Sequence, residues 1–535
     1  MIRTWKYQRC ETLDLNSLHS VSQASALPLG YHGLHGSMKL KVCLHLSSID
    51  LFVSGPTHGK VVVCYVATWA VYRPGDGKFD LSNLEPSLCT HLVYSFAGLD
   101  TTNTIKSLDP WQDLEKDYGK AGYKRLVALK QRYPHLKVTI AIGGWNEGSE
   151  KYSKMASTPA TRAKFIESVM YFLNTHNFDG LDLDWEYPTK RGGNPEDKAN
   201  YVALVKELKE AFESRGYIIT AALGAGKETM DSAYDLAKLS RHLDLIHMMC
   251  YDYHGTWDRM VGANAPLRGT SEEDVLSVEY TIKYLLAHGV SPYKMVLGLP
   301  MYGRNFILTN PGVKDIQFGL TPTKDVGFAG PWTRESGFLG YNEICVEIAN
   351  KSSKWTYHWE EQTSTPYLRD GERIIVYDDS RSIAAKVKMA IDYGLGGLMV
   401  WSIDTDDFRG SCGPENDTYI DFIQRYNDIV ESPVLQEALK NLNLPDENLS
   451  RRTAYVVSNN KLQLRLPESE YSNYPLMRTI NEATTMALEE KKILDEMERV
   501  MKDNEIEPEI DDKGSSHRMF ANFVCVFVCI LIAFY

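Results

Sequence analysis

The chain has 535 residues, of which 43% are hydrophobic and 24% charged, with a formal net charge of −12. That length fits one large domain with additions, or two or three ordinary ones, and the composition is globular. So acidic a chain argues against binding nucleic acid or anionic membrane through bulk electrostatics. The nine cysteines (10, 43, 64, 89, 250, 345, 412, 525 and 529) contain no C-x-x-C pair, which argues against a thioredoxin motif or a zinc ribbon. They fit either free thiols or a few long-range disulfides.

Residues 1–60 have no clear periodicity. The start lacks the basic and then apolar pattern of a secretory signal, whereas residues 38–55 look more like one, interrupted by His45 and Asp50. A mis-called start or a poorly placed exon is the expectation. From residue 61 short apolar runs alternate with helical stretches. Strands are predicted at 61–66, 91–96, 137–142, 180–185, 218–223, 244–249, 295–299 and 397–401. Amphipathic helices such as 160–174 and 201–215 fill most intervals. Near-continuous apolar strands alternating with helices predict an α/β fold, a parallel sheet covered by helices, and eight such units predict a (β/α)₈ TIM barrel. The interval before the last strand is too long for one helix. Its stretch 306–374, rich in Gly, Thr, Pro and Tyr, reads as a small α+β domain inserted between strands 7 and 8.

The barrel is expected to span 61–425. Residues 426–518 turn polar and acidic and read as a linker, with a solvated or partner-seeking stalk helix at 482–503. Residues 519–535 are apolar and uncharged. They are slightly short for a spanning helix and follow the small residues Gly514, Ser515 and Ser516, so a glycosylphosphatidylinositol anchor signal is preferred to a membrane helix. Asn350, Asn416 and Asn448 begin glycosylation sequons.

The strongest chemical signal is Phe178-Asp-Gly-Leu-Asp-Leu-Asp-Trp-Glu-Tyr-Pro188. Asp182, Asp184 and Glu186 are spaced by two, which puts all three on one face of a strand. Three carboxylates facing a barrel interior are costly, because desolvation penalises each charge and the segment carries no Lys or Arg. Active sites of such barrels lie at strand C-termini, so Glu186 should reach the cleft, with Asp184 deeper and Asp182 deeper still. Like charges this close raise at least one pKa and titrate as a group, an arrangement suited to general-acid cleavage of a glycosidic bond.

This segment resembles the Asp-x-x-Asp-x-Asp-x-Glu signature of glycoside hydrolase family 18, the chitinase family, with Asp179, Asp182, Asp184 and Glu186 filling every position. Lys137-Val-Thr-Ile-Ala-Ile-Gly-Gly-Trp-Asn146, Met249-Cys-Tyr-Asp-Tyr-His-Gly255, Gly298-Leu-Pro-Met-Tyr-Gly-Arg304 and Gly396-Gly-Leu-Met-Val-Trp-Ser402 are similar to its motifs on the third, sixth, seventh and eighth strands. The resemblance implies a substrate-assisted mechanism, without cofactor or metal, in which the N-acetyl carbonyl is the nucleophile. Glu186 would be the general acid, Asp184 would stabilise the oxazolinium ion, Asp182 would hold Asp184, and Tyr251 would orient the acetamide. Met249 and Asp252 would shape that pocket, with Trp401 as its apolar floor. Tyr65, Trp69, Trp111, Trp145, Asn146, Tyr187, Trp257, Tyr302, Arg304 and Met399 would complete the substrate groove.

The resemblance also implies disulfides Cys64–Cys89 and Cys345–Cys412, an oxidising extracellular or cell-surface location, and a monomer acting on chitin or chitooligosaccharides. Cys250 reads as a buried thiol. Glu147 stands where an aromatic is common, so one subsite is expected to differ. Two alternatives remain: a chitinase-like lectin that binds without cutting, and an endo-β-N-acetylglucosaminidase.

Overall fold

The computed structural model of the chain describes residues 54–413, 417–445, 453–467 and 473–503. The eight apolar runs form parallel strands: β1 (Val61–Ala67), β2 (His91–Leu99), β3 (Lys137–Gly143), β4 (Gly180–Asp184), β5 (Ile218–Gly224), β6 (Leu245–Met249), β7 (Met295–Pro300) and β8 (Gly397–Trp401). The sheet closes on itself because Val63 of β1 lies opposite both Met399 of β8 and His91 of β2. A short antiparallel strand, Ile105–Ser107, extends β2 on the outside.

Alternation along each strand sorts the side chains. Val63, Tyr65, Val93, Ala141, Val296 and Met399 fill the barrel interior. Their neighbours face outward onto helices such as α1 (Pro159–His176) and α2 (Asp197–Glu213). The start of α1 is set locally. Thr158 caps it, accepting from the amide of Thr161, and Pro159 enters the first turn, where its missing N–H has no partner to lose.

The inserted domain carries a five-stranded antiparallel sheet ordered 338–340, 302–307, 373–376, 365–370, 356–360, with helix α3 (Tyr341–Ala349) beside it. It starts at Tyr302, four residues earlier than expected, because the chain leaves β7 and enters the new sheet at once. Among the described residues two disulfides form, Cys64–Cys89 and Cys345–Cys412. The second ties α3 to the segment after β8. Cys250 is a buried thiol whose pKa burial pushes up to about 12.

The expectation of a solvated linker is overturned within the described residues. After α4 (Ser380–Asp392) and β8, the chain forms α5 (Ile420–Glu431), a hairpin at 455–464 and a 29-residue helix, α6 (Pro475–Asp503). Leu476, Met477, Ile480, Ala483, Met486, Ala487, Ile493, Met497 and Val500 are buried along one stripe, and α6 packs on α4. Its acidic residues are engaged too. Glu490 is buried against Lys388 Nζ at 2.8 Å and Arg425 Nε at 3.5 Å, and Glu489 accepts from the amides of Ala454 and Tyr455. Each fully buried Leu, Ile or Met contributes about 1.5–3 kcal/mol, enough to fix such a helix in place.

Residues 1–53, the apolar tail 519–535 and the sequons at Asn416 and Asn448 lie outside the described residues. Among the described residues no helix is long and apolar enough to cross a membrane.

Candidate active site

Strand β4 delivers the carboxylate row to the C-terminal mouth of the barrel. Asp182 is 0% exposed and Asp184 4%, and Glu186, two residues past the last ladder pair, is partly exposed. Gly143 makes this close approach possible. It pairs with Asp184 at φ 123°, and a Cβ there would lie 2.0 Å from the Asp184 carbonyl oxygen.

Asp182 is fully partnered. Tyr65 donates its hydroxyl to Oδ2 at 2.6 Å, and Thr220 donates to Oδ1 at 2.5 Å. His247 Nδ1 lies 2.8 Å from the Tyr65 hydroxyl and 3.1 Å from Asp182. Because the Tyr65 proton points to Asp182, the hydrogen of the imidazole sits on Nδ1. Asp184 contrasts with this, since its buried Oδ1 has no partner. Burial, reinforced by the charges of Glu186 and Asp182, holds the Asp184 carboxyl well above the usual range. Burial also pushes Glu186 up to about 7, with Arg191 and Tyr187 pulling the other way. A carboxyl raised this far can still donate a proton near neutrality.

Around this row the side chains fall into groups. Trp401 packs against Tyr65, Phe96 and Trp69, with ring centroids 5.6–6.1 Å away, and forms an apolar floor. Tyr251 stands over Gly298, where a Cβ would lie 3.0 Å from its ring, and its hydroxyl reaches Met399 Sδ at 3.9 Å. Met249 packs with the same interior cluster. Arg304 grips Asp252 through Nε at 2.8 Å and Nη2 at 2.6 Å, while its guanidinium lies 5.2 Å from Trp257 and 5.4 Å from Tyr302. Tyr302 stacks on Phe338 of the inserted domain. Trp145 is 59% exposed beneath the Arg191 guanidinium, 3.5 Å from its ring centroid, and Arg191 also donates to the Glu186 carbonyl. Asn146 beside it is exposed, and Tyr187 is half-buried, fitted over Gly224.

One expectation changes. Tyr65 and Met399 are buried in the barrel and support Asp182 and Tyr251 from below rather than lining a groove, because they point inward deeper than the strand ends. Trp111 does not join the group around Trp401; it is exposed and stacks on Tyr72, with Lys120 over its ring. Glu147 turns inward, accepting from the Leu99 amide and the Tyr152 hydroxyl at 3.0 Å each, so it braces the end of β2. His247, Thr220, Phe96, Phe338 and Arg191 are additions that the motifs did not single out. Apart from His247, which lies two residues before Met249, only contact across the barrel mouth reveals them.

The pattern that defines Glycosyl hydrolases family 18 matches residues 61–406, nearly two thirds of the chain. The chain belongs to that family. "Probable chitinase 2" of Drosophila melanogaster is 49% identical over 447 residues, covering 82% of this chain and 83% of that one. A match over 82% of the chain cannot be contained in its first 406 residues, so the likeness reaches into the C-terminal region. A group IV chitinase of Ostrinia furnacalis, solved in complex with allosamidin, is 40% identical with a TM-score of 0.63; the likeness covers 68% of this chain and 97% of that one. The family 18 fold also occurs in human YKL-39, described as a pseudo-chitinase with retained chitooligosaccharide binding, at 34% identity and a TM-score of 0.60, covering 66% of this chain and 95% of that one. Family membership makes the chain a glycoside hydrolase by descent, and the carboxylate row is where its chemistry would reside.

Proposed function

We propose that this protein is a chitinase that cuts β-1,4-linked N-acetylglucosamine polymers and oligomers by substrate-assisted, retaining catalysis. The observation that carries the reading is the unpartnered, buried Oδ1 of Asp184, set in the row between Asp182, whose oxygens are both taken, and the partly exposed Glu186. An acetamide N–H of the substrate supplies the missing donor. Glu186 then protonates the glycosidic oxygen as the acetamide carbonyl attacks the anomeric carbon. Asp184 balances the positive charge of the oxazolinium ring, and Tyr251 holds the acetamide oxygen. Water activated by the Glu186 carboxylate opens the ring from the face the leaving group left, so two inversions restore the β configuration.

Release of reducing ends from chitin oligomers, with β-anomers as the first products by proton NMR, is the test. An initial excess of α-anomers contradicts the mechanism. Binding without release points to the lectin reading, and release of glycan from a glycoprotein instead of chitooligosaccharides points to the endoglycosidase.

The two disulfides support an oxidising, extracellular or cell-surface location. Exposure of Asn350 at the end of α3 supports glycosylation there. Membrane attachment through residues 519–535, with a lipid anchor preferred, rests on sequence alone. Release of active enzyme from cells by phosphatidylinositol-specific phospholipase C tests it, and retention where a control anchored protein is freed would exclude the lipid form.

A further inference from the structure

Tyr251 and Asp252 come from a motif, but the side chain that holds their backbone comes from a loop outside every motif. Asn264 is buried, 1% exposed. Its Oδ1 accepts from the Asp252 amide at 2.9 Å, and its Nδ2 donates to the Tyr302 carbonyl at 3.3 Å. Its own carbonyl accepts from the Tyr253 amide at 3.1 Å. These three bonds tie the turn after β6 to the first strand of the inserted domain. The turn needs tying, because Asp252 has φ 57°, a left-handed conformation that an L-residue keeps only when its surroundings hold it.

We propose that Asn264 is a positioning residue for catalysis, one that fixes the Tyr251 hydroxyl by locking the Asp252 peptide and couples it to the inserted domain. The inference rests on the reading of Tyr251 as the group that orients the substrate acetamide. An amide suits the place because it offers one acceptor and one donor in a rigid fork. Alanine offers neither. An aspartate offers only acceptors when ionised, and sets a negative oxygen against the Tyr302 carbonyl. Protonated, it offers a carbonyl to Asp252 and an O–H to Tyr302, so it mimics asparagine only in its acid form. Burial raises the pKa of such a carboxyl and brings the change into an accessible range.

The test uses the whole protein, a chitooligosaccharide substrate, and a thiazoline analogue of the oxazolinium ion as the binding probe. Asn264→Ala should lower kcat by about 10- to 100-fold, the scale of a misplaced catalytic group, and weaken thiazoline binding by a similar factor while KM changes little. Asn264→Asp should resemble Asn264→Ala at pH 8, and its activity relative to wild type should climb as pH falls. Tyr251→Phe serves as the reference. Wild-type kcat and thiazoline affinity in Asn264→Ala, with Tyr251→Phe impaired, overturn the inference alone. Full activity in Tyr251→Phe overturns the reading of Tyr251 and this inference with it. Should Asn264→Ala fail to fold, the aspartate variant decides, and a ratio to wild type that is flat with pH overturns the proposal.

Discussion

Two pairs of acids in this molecule look alike in sequence and do different things. Asp184 ends β4 and Glu186 follows it; Asp404 and Asp406 follow β8. Each pair is spaced by two and sits at the mouth of a barrel strand. Burial pushes Asp406 up to about 7, the same value as Glu186, so a raised carboxyl does not by itself mark the catalyst. The bonding separates them. Asp404 accepts from the Ala67 amide at 2.9 Å and pairs with Arg73 at 2.8 Å. Asp406 accepts from the amides of Asp407, Leu476 and Met477, the last two at the N-terminus of α6. Asp184 instead keeps an oxygen with nothing to bind, and Glu186 keeps a face toward the groove. Unused bonding capacity within reach of a ligand distinguishes a working acid from a structural one.

The comparison breaks most directly at Glu186. Glu186→Gln keeps the shape and removes the proton, so turnover should fall by at least about 10²–10⁴-fold while oligosaccharide binding survives. Asp406→Ala should do the opposite, leaving kcat within a few-fold and costing about 1–2 kcal/mol of stability as the cap of α6 is lost. Undiminished turnover in Glu186→Gln, or a collapse of kcat in Asp406→Ala with its melting temperature unchanged, would erase the distinction.

A subtler contrast lies in pH. The general acid must be protonated, so kcat/KM should decline as pH rises through about 7, where Glu186 titrates. The Arg191 cation favours the carboxylate, and removing it in Arg191→Met should move that alkaline limb upward. A downward move would show that Arg191 does not act on Glu186 electrostatically. The smallest effect concerns stability. The Asp184 carboxyl is held above its unfolded value, so its contribution is fully present in acid and is lost as pH rises through the folded pKa. Asp184→Asn escapes that loss and should melt about 2 °C above wild type at alkaline pH, with no such gain near pH 4. A pH-independent difference would place the cause in packing instead.

Much of this is legible in the sequence. The eight strands announce themselves because buried parallel strands are almost continuously apolar, and Asp182, Asp184 and Glu186 stand out because nothing in a core tolerates three acids without cause. Residues defined only by distant contacts stay hidden. His247 meets Asp182 from 65 positions away, and Phe96 meets Trp401 from beyond 300. Asn264 is one polar residue in a loop until Asp252 and Tyr302 close on it. The C-terminal helix hides its packing for a related reason. A window opened at residue 482 omits Leu476, Met477 and Ile480, which begin its buried stripe, and acids such as Glu490 count as solvated until Lys388 and Arg425 are found beside them.

If the C-terminal attachment proposed above holds, that packed helix would also shorten the enzyme's leash. A linker from 426 to 518 would let a tethered catalytic domain roam far from whatever holds its tail. Because α6 is fastened along the barrel wall to residue 503, no more than residues 504–518 would separate the packed domain from such an attachment. Fifteen residues reach at most about 50 Å when fully extended. Attached in this way, the enzyme would patrol a shell little wider than its own barrel and attack only chitin laid down close against the surface that carries it.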